Sequence, residues 1–372
     1  MQIYQKILPV SLPYQFSTNK SIRECDILLF DIETTGLSFD ISSIYLIGCC
    51  YYQNQCWNMI QYFADDYISE KSILQSFIEF AKPFKVMVHF NGTGFDIPYL
   101  QKKLIAHELD FSFDSFLQID LYRKIFPYKS ILNLTNTKQK TIESFLGFPR
   151  TDPYSGGELI NVYVDYMKNK FGHRPTMEDK LNALLLHNEE DVCNLILLTS
   201  VLAYSDLFEE PLEVISAQLE GEMVTLSFSL NNPLKTGFSY TAPKKDITLS
   251  VEKSIGQVSV PVYQGILKYF YPNYKDYYYL PAEDTAIHKS VASFVEKEYR
   301  EKARAATCYT KKESIFLPQF FGDLTPAFRF EHKDKMSYIE VTPAFLKNKE
   351  QCQNYLKSLM LYLLQESKGK VE

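Results

Sequence analysis

The hydrophobic and polar positions in the first half of the chain alternate between the period of a strand and the period of a helix. Four short apolar runs predict strands at residues 27–30, 44–52, 57–63 and 86–90. Apolar residues at helical spacing predict helices at 69–81, 96–107 and 180–204. This alternation is typical of an α/β fold built in layers.

The second half of the chain has a different pattern. Alternating positions and aromatic runs predict several strands, at 224–230, 237–242, 247–251, 269–272 and 277–280. Residues 284–306 and 351–365 show helical spacing. We therefore expect an N-terminal extension at 1–24, an α/β domain at 25–207 and a C-terminal α+β domain of unknown function at 208–372.

Composition limits the classes of protein that need to be considered. With 46% hydrophobic and 23% charged residues among 372, the chain is a folded globular protein and neither disordered nor fibrous. The net charge of −6 provides no general attraction to nucleic acid, so any such contact must be local. The seven cysteines form no C-x-x-C pair, and we find no signal peptide or membrane span. We expect a reduced, cytoplasmic protein with no membrane partner.

Acidic residues follow the predicted strands at places where they can meet. Asp31 and Glu33 are two residues apart at the end of an apolar run, so an extended backbone directs both side chains the same way. Asp96 lies just beyond the strand predicted at 86–90, and Asp191 lies on the late helix one turn after His187. Clustered carboxylates repel one another unless a cation neutralises them, and hard oxygen ligands favour Mg²⁺ or Mn²⁺.

These segments resemble a known family. DIETTGL at 31–37, HFNGTGFDIPYL at 89–100 and HNEEDV at 187–192 resemble the three motifs of the DEDD, or DnaQ-like, 3′–5′ exonucleases of the ribonuclease H-like superfamily. TIESFLGFPRTD at 141–152 is similar to the bacterial YprB-type group within it. The resemblance implies a mixed sheet flanked by helices over residues 25–207.

The resemblance also implies roles for individual residues. Asp31, Glu33, Asp96 and Asp191 would be the ligands of two ions, Mg²⁺ or Mn²⁺, and His187 would be the general base. Leu37 resembles a residue that wedges against the terminal bases, and Asn91 a polar residue near the scissile end. The alternatives are a leucine that packs in a turn and an asparagine that forms a loop. The residues expected to bind substrate are Thr34, Leu37 and Asn91.

Four features of the sequence have alternative interpretations. Three residues separate His187 from Asp191, which is the spacing of the Tyr-type members, so the base assignment is open. Glu190, directly beside Asp191, could perturb the site but is expected on a solvated face. Asp120 is either a supporting or a purely structural acid. The basic stretch 297–312 either binds the phosphate backbone of nucleic acid or is a solvated helix face.

The predicted function is hydrolysis of phosphodiester bonds by two metal ions, from a single-stranded 3′ end of DNA or RNA. Two alternatives remain open: endonuclease action in the manner of ribonuclease H, and a catalytically silent module that only binds nucleic acid. Protein partners and oligomeric state cannot be inferred from the sequence.

Overall fold

The computed structural model describes residues 1–16, 22–170, 174–321 and 324–369. A few residues of the predicted extension at 1–24 and of the predicted C-terminal domain at 208–372 therefore lie outside the described ranges. Contacts divide the chain into two compact units. The first unit comprises Met1–Lys129 with Asn133–Ser205, and the second comprises Ser130–Leu132 with Asp206–Glu372.

The first unit contains a six-stranded mixed sheet. Its strands, in chain order, are β1 (Gln2–Leu8), β2 (Ile27–Thr34), β3 (Ile44–Gln53), β4 (Cys56–Phe63), β5 (Val86–His89) and β6 (Leu117–Asp120). The order across the sheet is β1-β4-β3-β2-β5-β6. The first four strands in this order pair antiparallel, whereas β2, β5 and β6 run parallel. The predicted extension thus contributes the edge strand β1.

Strand β2 is central because it presents apolar side chains to both faces of the sheet. Residues 27–30 have no exposed surface, as expected for a strand that helices cover on both sides. The carboxyl ends of parallel strands lie at the same edge, so the ends of β2, β5 and β6 bring their following residues together. This edge is where the predicted acids lie.

Helices cover the sheet of the first unit. They are α1 (Glu70–Ala81), α2 (Asp96–Ala106), α3 (Leu121–Ile125), α4 (Gln139–Leu146), α5 (Gly156–Asn169) and α6 (Arg174–Leu198). Helix α7 (Leu202–Glu209) follows. The predicted helices at 69–81 and 96–107 are confirmed, and α1 buries the predicted face of Ile73, Leu74, Phe77, Ile78 and Ala81. The predicted helix at 180–204 begins earlier and is interrupted after Leu198.

Helix α6 packs closely on the centre of the sheet because one position of β3 has no side chain. Gly48 pairs with Asp31 of β2 on one side and with Gln61 of β4 on the other. A Cβ atom at Gly48 would overlap the side-chain amide of Asn188 on α6. The stretch Thr176–Glu209 is long and apolar enough to cross a bilayer, but 72% of its most apolar window is buried in the fold, as in a core helix.

The second unit is rich in β-structure. Its five-stranded antiparallel sheet has the order β7-β8-β11-β10-β9, with strands β7 (Glu213–Glu220), β8 (Met223–Ser229), β9 (Phe238–Ala242), β10 (Ile247–Glu252) and β11 (Ile255–Pro261). A four-stranded closed barrel contains β12 (Tyr263–Phe270), β16 (Tyr309–Gln319), β17 (Ala327–Arg329) and β18 (Ser337–Glu340). A three-stranded sheet contains β13 (Tyr277–Leu280), β14 (Thr285–His288) and β15 (Glu301–Lys302). The helices are α8 (Lys289–Ala292), α9 (Pro343–Lys347) and α10 (Lys349–Ser367).

One predicted helix of the second unit is wrong and one is confirmed. Residues 284–306 form β14, the single turn α8 and β15, because β14 pairs with β13 along the whole of Tyr277–Leu280. Val291 and Phe294, expected on a buried helical face, are 56% and 90% exposed. The predicted helix at 351–365 lies within α10.

The close approach of α6 to β3 predicts the effect of filling Gly48. We expect Gly48→Ala to lower the free energy of unfolding by about 1–3 kcal/mol, since the new methyl group forces Asn188 aside. Urea denaturation measures this change. Gly157→Ala is the control, because a Cβ there meets no atom of the described residues within 4 Å. Equal effects of the two substitutions would contradict the packing argument.

Candidate metal centre

Strand β2 supplies two carboxylates to the edge of the sheet. Asp31 and Glu33 are separated by one residue, so both side chains project from the same face, as their spacing predicts. Asp31 is half-buried, and Glu33 is 7% exposed. The apolar residue between them, Ile32, points to the opposite face and is buried. The strand therefore holds two acids at fixed positions beside the core.

Asp96 reaches β2 through the loop that follows β5. The loop is held by Asp120 at the end of β6, whose carboxylate accepts hydrogen bonds from the backbone N–H of Asn91 at 2.9 Å and of Thr93 at 3.3 Å. Asp96 is the first residue of α2, and its Oδ1 accepts a hydrogen bond from the backbone N–H of Ile32 at 3.3 Å. Asp120 therefore holds the loop before Asp96, a contact that fits both of its interpretations.

Helix α6 brings His187, Asn188 and Asp191 over the same edge. The Asn188 side chain donates from Nδ2 to Asp31 Oδ2 at 3.2 Å and accepts from Gln61 Nε2 at 3.0 Å. Asn188 is fully buried, and its place above Gly48 gives it access to Asp31. The sequence reasoning did not find Asn188, Gln61 or Gly48, because their contacts join elements far apart in the chain.

His187 and Asp191 meet Glu33 at the centre of the cluster. His187 Nε2 lies 3.2 Å from Asp191 Oδ2 and 3.7 Å from Glu33 Oε1. Ligand atoms of these three side chains all lie within 4.8 Å of one another, which is close enough to surround one ion. The spacing of three residues between His187 and Asp191 places them one helical turn apart on one face of α6.

The carboxyl groups interact strongly with one another. Burial raises the pKa of Asp31 well above its ordinary value, and the charges of Asp96, Asp191 and Glu33 raise it further. Burial likewise raises the pKa of Glu33, assisted by the charges of Asp191 and Asp96. Burial raises the pKa of Asp96 to about 7, although the N–H groups of Asp96 and Ile32 oppose this shift. The four acids named from the sequence therefore lie close enough to repel one another.

The donor set fits a hard divalent cation. Asp31, Glu33, Asp96 and Asp191 offer carboxylate oxygens, the ligand type that Mg²⁺ and Mn²⁺ prefer. The raised pKa values of Asp31, Glu33 and Asp96 show that the carboxylate form of these three groups lacks sufficient positive charge nearby. A bound cation would supply that charge. The residues at this edge of the sheet can therefore hold a divalent metal.

Arg150 and Asp152, in the segment before α5, are partners that sequence reasoning missed. Arg150 Nη1 lies 2.6 Å from Asp191 Oδ1, and the guanidinium also contacts Glu143 and Asp152 at 3.3 Å. Asp152 Oδ2 lies 2.6 Å from His187 Nδ1. The similarity of TIESFLGFPRTD to the YprB-type group was the available signal, but it did not reveal these contacts.

Glu190 differs from its expected position on a solvated face. Its carboxylate accepts hydrogen bonds from the backbone N–H of Thr151 at 2.8 Å and of Asp152 at 2.9 Å. Only 15% of its side chain is exposed. Glu190 therefore anchors the segment that carries Arg150 and Asp152 to α6.

An open cleft of about 490 Å³ leads to the acids. Asp31, Glu33, His187 and Asp191 lie on one side of it. The cleft is also lined by residues at the starts of α4 and α5 and in the segment between these helices: Lys138, Gln139, Lys140, Thr141, Pro153, Tyr154, Ser155, Gly156 and Glu158. The cleft thus combines carboxylates with lysine side chains, the pairing that a metal-bound phosphate would need.

The three residues predicted to bind substrate lie around the loops near the acids. The Leu37 side chain is 84% exposed, as a residue that contacts a ligand must be. The Thr34 hydroxyl donates to the carbonyl of Gly36 at 2.8 Å and shapes the turn before Leu37. Asn91 is exposed and adopts a φ of 62° in the loop that Asp120 holds. Their contact with substrate remains a prediction.

The basic stretch 297–312 is not a helix face in the structure. Lys311 pairs with Asp284, and Lys312 pairs with Glu340 at 2.7 Å. The Arg300 guanidinium lies 4.9 Å from the centre of the Tyr278 ring. Three of the six basic residues of the stretch are thus engaged within the second unit. Fewer charges remain for binding phosphates, which weakens that interpretation of the stretch.

Comparison with known proteins identifies the fold around the acids. Residues 28–203 match the family model of the RNase_H superfamily. They form a ribonuclease H-like domain. A search of curated proteins gives no match. The ribonuclease H-like domain includes β2 to β6 and every acid of the cluster.

The chain also has distant similarity to solved structures. One is the family B DNA polymerase of the hyperthermophilic archaeon Pyrobaculum calidifontis, with 14% identity, a TM-score of 0.31 and coverage of 65% of this chain and 33% of that chain. Another is a structure of exonuclease I, with 12% identity, a TM-score of 0.24 and coverage of 54% and 55%. A third is the zinc-bound complex of E. coli ExoI with ssDNA, with 11% identity, a TM-score of 0.28 and coverage of 92% of this chain and 72% of that chain. The match spans a third of the polymerase and about half of the first exonuclease chain.

The repulsion among the carboxylates predicts that divalent metal stabilises the protein. Free Mn²⁺ at 100 times its dissociation constant should raise the free energy of unfolding of EDTA-treated protein by about 2.7 kcal/mol. Thermal unfolding with and without Mn²⁺ measures the effect. Glu33→Gln should reduce the shift, whereas Asp165→Asn, in an acid paired with Lys180, should leave it unchanged. An unchanged shift in Glu33→Gln would exclude this residue as a ligand.

The raised pKa of Asp96 predicts a pH dependence in metal-free protein. A carboxyl group whose pKa rises from 3.8 to about 7 on folding stabilises the fold below its unfolded pKa and loses that stabilisation as pH rises through 7. Asp96→Asn removes this titration. In EDTA, the stability of the variant relative to the wild type should therefore increase between about pH 5 and pH 8, by about 1 kcal/mol or more. Denaturant unfolding at each pH measures it, and a constant difference would contradict the assignment.

Proposed function

We propose that the ribonuclease H-like domain is a metal-dependent nuclease of the DEDD type that removes nucleotides from the 3′ end of single-stranded nucleic acid. The observation that carries this proposal is the convergence of Asp31, Glu33, Asp96 and Asp191 from three elements at one edge of the sheet. A protein gains nothing in stability from gathering four mutually repelling acids in one place. A metal-binding role accounts for their arrangement.

The four carboxylates would hold Mg²⁺ or Mn²⁺, two ions in the proposed DEDD mechanism. Bound ions of this kind activate water and stabilise charge on the oxygens of a phosphodiester during displacement. The backbone N–H of Ile32 and the amide of Asn188 orient Asp96 and Asp31 respectively. Arg150 orients Asp191 through Oδ1, whereas His187 faces Oδ2 of the same carboxylate. Asp31, Asp96 and Asp191 are thus each held in place by a neighbour before any ligand binds.

His187 is the proposed general base. Its Nε2 atom faces Glu33 and Asp191, the place where an attacking water would lie, and it would accept the proton of that water. The helical turn between His187 and Asp191 provides this proximity with three intervening residues. The spacing characteristic of Tyr-type members is therefore compatible with a histidine base.

The cleft supports binding of a flexible strand. Lys138 is exposed at the wall opposite the acids and could contact a phosphate of the bound strand. The side chain of Leu37, which is almost fully exposed, could pack against the terminal base. Local contacts of this kind are required because the chain as a whole carries a net charge of −6. We further propose a cytoplasmic location, in keeping with seven cysteines that are all free thiols.

The proposal predicts metal-dependent shortening of labelled oligonucleotides. Purified protein with 5′-labelled single-stranded DNA or RNA should give, in Mg²⁺ or Mn²⁺ but not in EDTA, a ladder that shortens from the 3′ end. Asp31→Asn should abolish cleavage, and His187→Ala should slow it on the order of 10²-fold. Asp165→Asn is the matched control and should retain the wild-type rate.

Other outcomes distinguish the alternatives. Discrete internal products would favour an endonuclease. Binding without cleavage in any metal would favour a silent module. Metal-dependent cleavage that persists in Asp31→Asn would show that the assigned site is wrong.

A further inference from the structure

His187 has a second buried acidic partner on the side away from the acid cluster. Its Nδ1 atom lies 2.6 Å from Asp152 Oδ2, while Nε2 faces Glu33 and Asp191. The side chains of His187 and Asp152 are 5% and 1% exposed. A short contact between two groups so well shielded from water fixes the plane of the imidazole ring.

Asp152 is itself held rigidly. Its Oδ1 accepts from the backbone N–H of Tyr154 at 3.0 Å, and its Oδ2 lies 3.1 Å from Lys140 Nζ and 3.3 Å from Arg150 Nη2. Its own backbone N–H donates to Glu190 on α6. Burial would raise the pKa of Asp152, but the hydrogen bonds from Tyr154 and His187 outweigh it and lower the pKa. Asp152 therefore stays a carboxylate, which can only accept hydrogen bonds.

We propose that Asp152 is a positioning residue that fixes the tautomer and the orientation of His187. Because the carboxylate accepts from Nδ1–H, the neutral ring carries its lone pair on Nε2, directed at the acid cluster. This role rests on the proposed function, in which Nε2 receives the proton of the attacking water. Without Asp152 the ring can adopt the other tautomer, which presents N–H instead of a lone pair to the water.

A competing role for Asp152 is purely structural. Its contacts with Lys140, Arg150 and Tyr154 could serve only to stabilise the conformation of the segment before α5. A structural role and a positioning role differ in one respect. If Asp152 acts through His187, its removal matters only while His187 is present.

A double-mutant cycle tests this dependence. Asp152→Asn should lower kcat by about 10–100-fold and leave KM unchanged, as expected when the partner of a catalytic group is altered. In the His187→Ala background the same substitution should change kcat by less than about twofold. Equal losses in both backgrounds would overturn the proposal, as would no loss in the enzyme that retains His187. Asp165→Asn, which loses an ion pair between α5 and α6, should be silent in both backgrounds.

A spectroscopic measurement tests the same interaction without turnover. The imidazole ¹⁵N resonances of His187 can be assigned among the six histidines by their loss in His187→Ala. At a pH where the ring is neutral, we expect a protonated Nδ1 and an unprotonated Nε2, and a shift towards the other tautomer in Asp152→Asn. An unprotonated Nδ1, or identical spectra in the two proteins, would overturn the proposal. A wild type with the expected tautomer but no cleavage of any substrate would instead overturn the proposed function.

Discussion

Electrostatic repulsion among buried carboxylates is the constraint on which the rest of the structure depends. Asp31, Glu33 and Asp96 all have raised pKa values because burial removes water and neighbouring acids add negative charge. Such a cluster lowers the stability of a protein unless cations neutralise its negative charge. The protein provides part of that balance through Arg150, which contacts Asp191. The remaining excess of negative charge is what a divalent metal would neutralise.

The fold positions these acids by rigid elements and not by mobile loops. Parallel strands end at one edge of the sheet, and α6 crosses above it. Gly48 allows this approach, and Asn188 then links the helix to Asp31. A second set of contacts, from Glu190 to the segment before α5, places Asp152 behind His187. The acids and the candidate base are therefore held in relation to one another by the core of the ribonuclease H-like domain.

The sequence predicted those parts of the site that local patterns determine. The apolar run before Asp31 and the helical turn from His187 to Asp191 are properties of single elements, and the structure has both. Arg150, Asp152 and Asn188 were missed because their roles arise from contacts with residues 35 to 157 positions away. The helix predicted at 284–306 failed for a related reason: apolar spacing suggested a helix, whereas pairing of β14 with β13 decides the structure. Tertiary contacts of this kind override local propensity.

The central claim is that these carboxylates form a site for divalent metal. Anomalous diffraction from a crystal of the protein soaked in Mn²⁺ tests it most directly, because the anomalous signal locates the metal independently of any activity. We expect strong anomalous density among Asp31, Glu33, Asp96 and Asp191, and its loss in Asp31→Asn. Density elsewhere on the protein, or none at millimolar Mn²⁺, would contradict the claim.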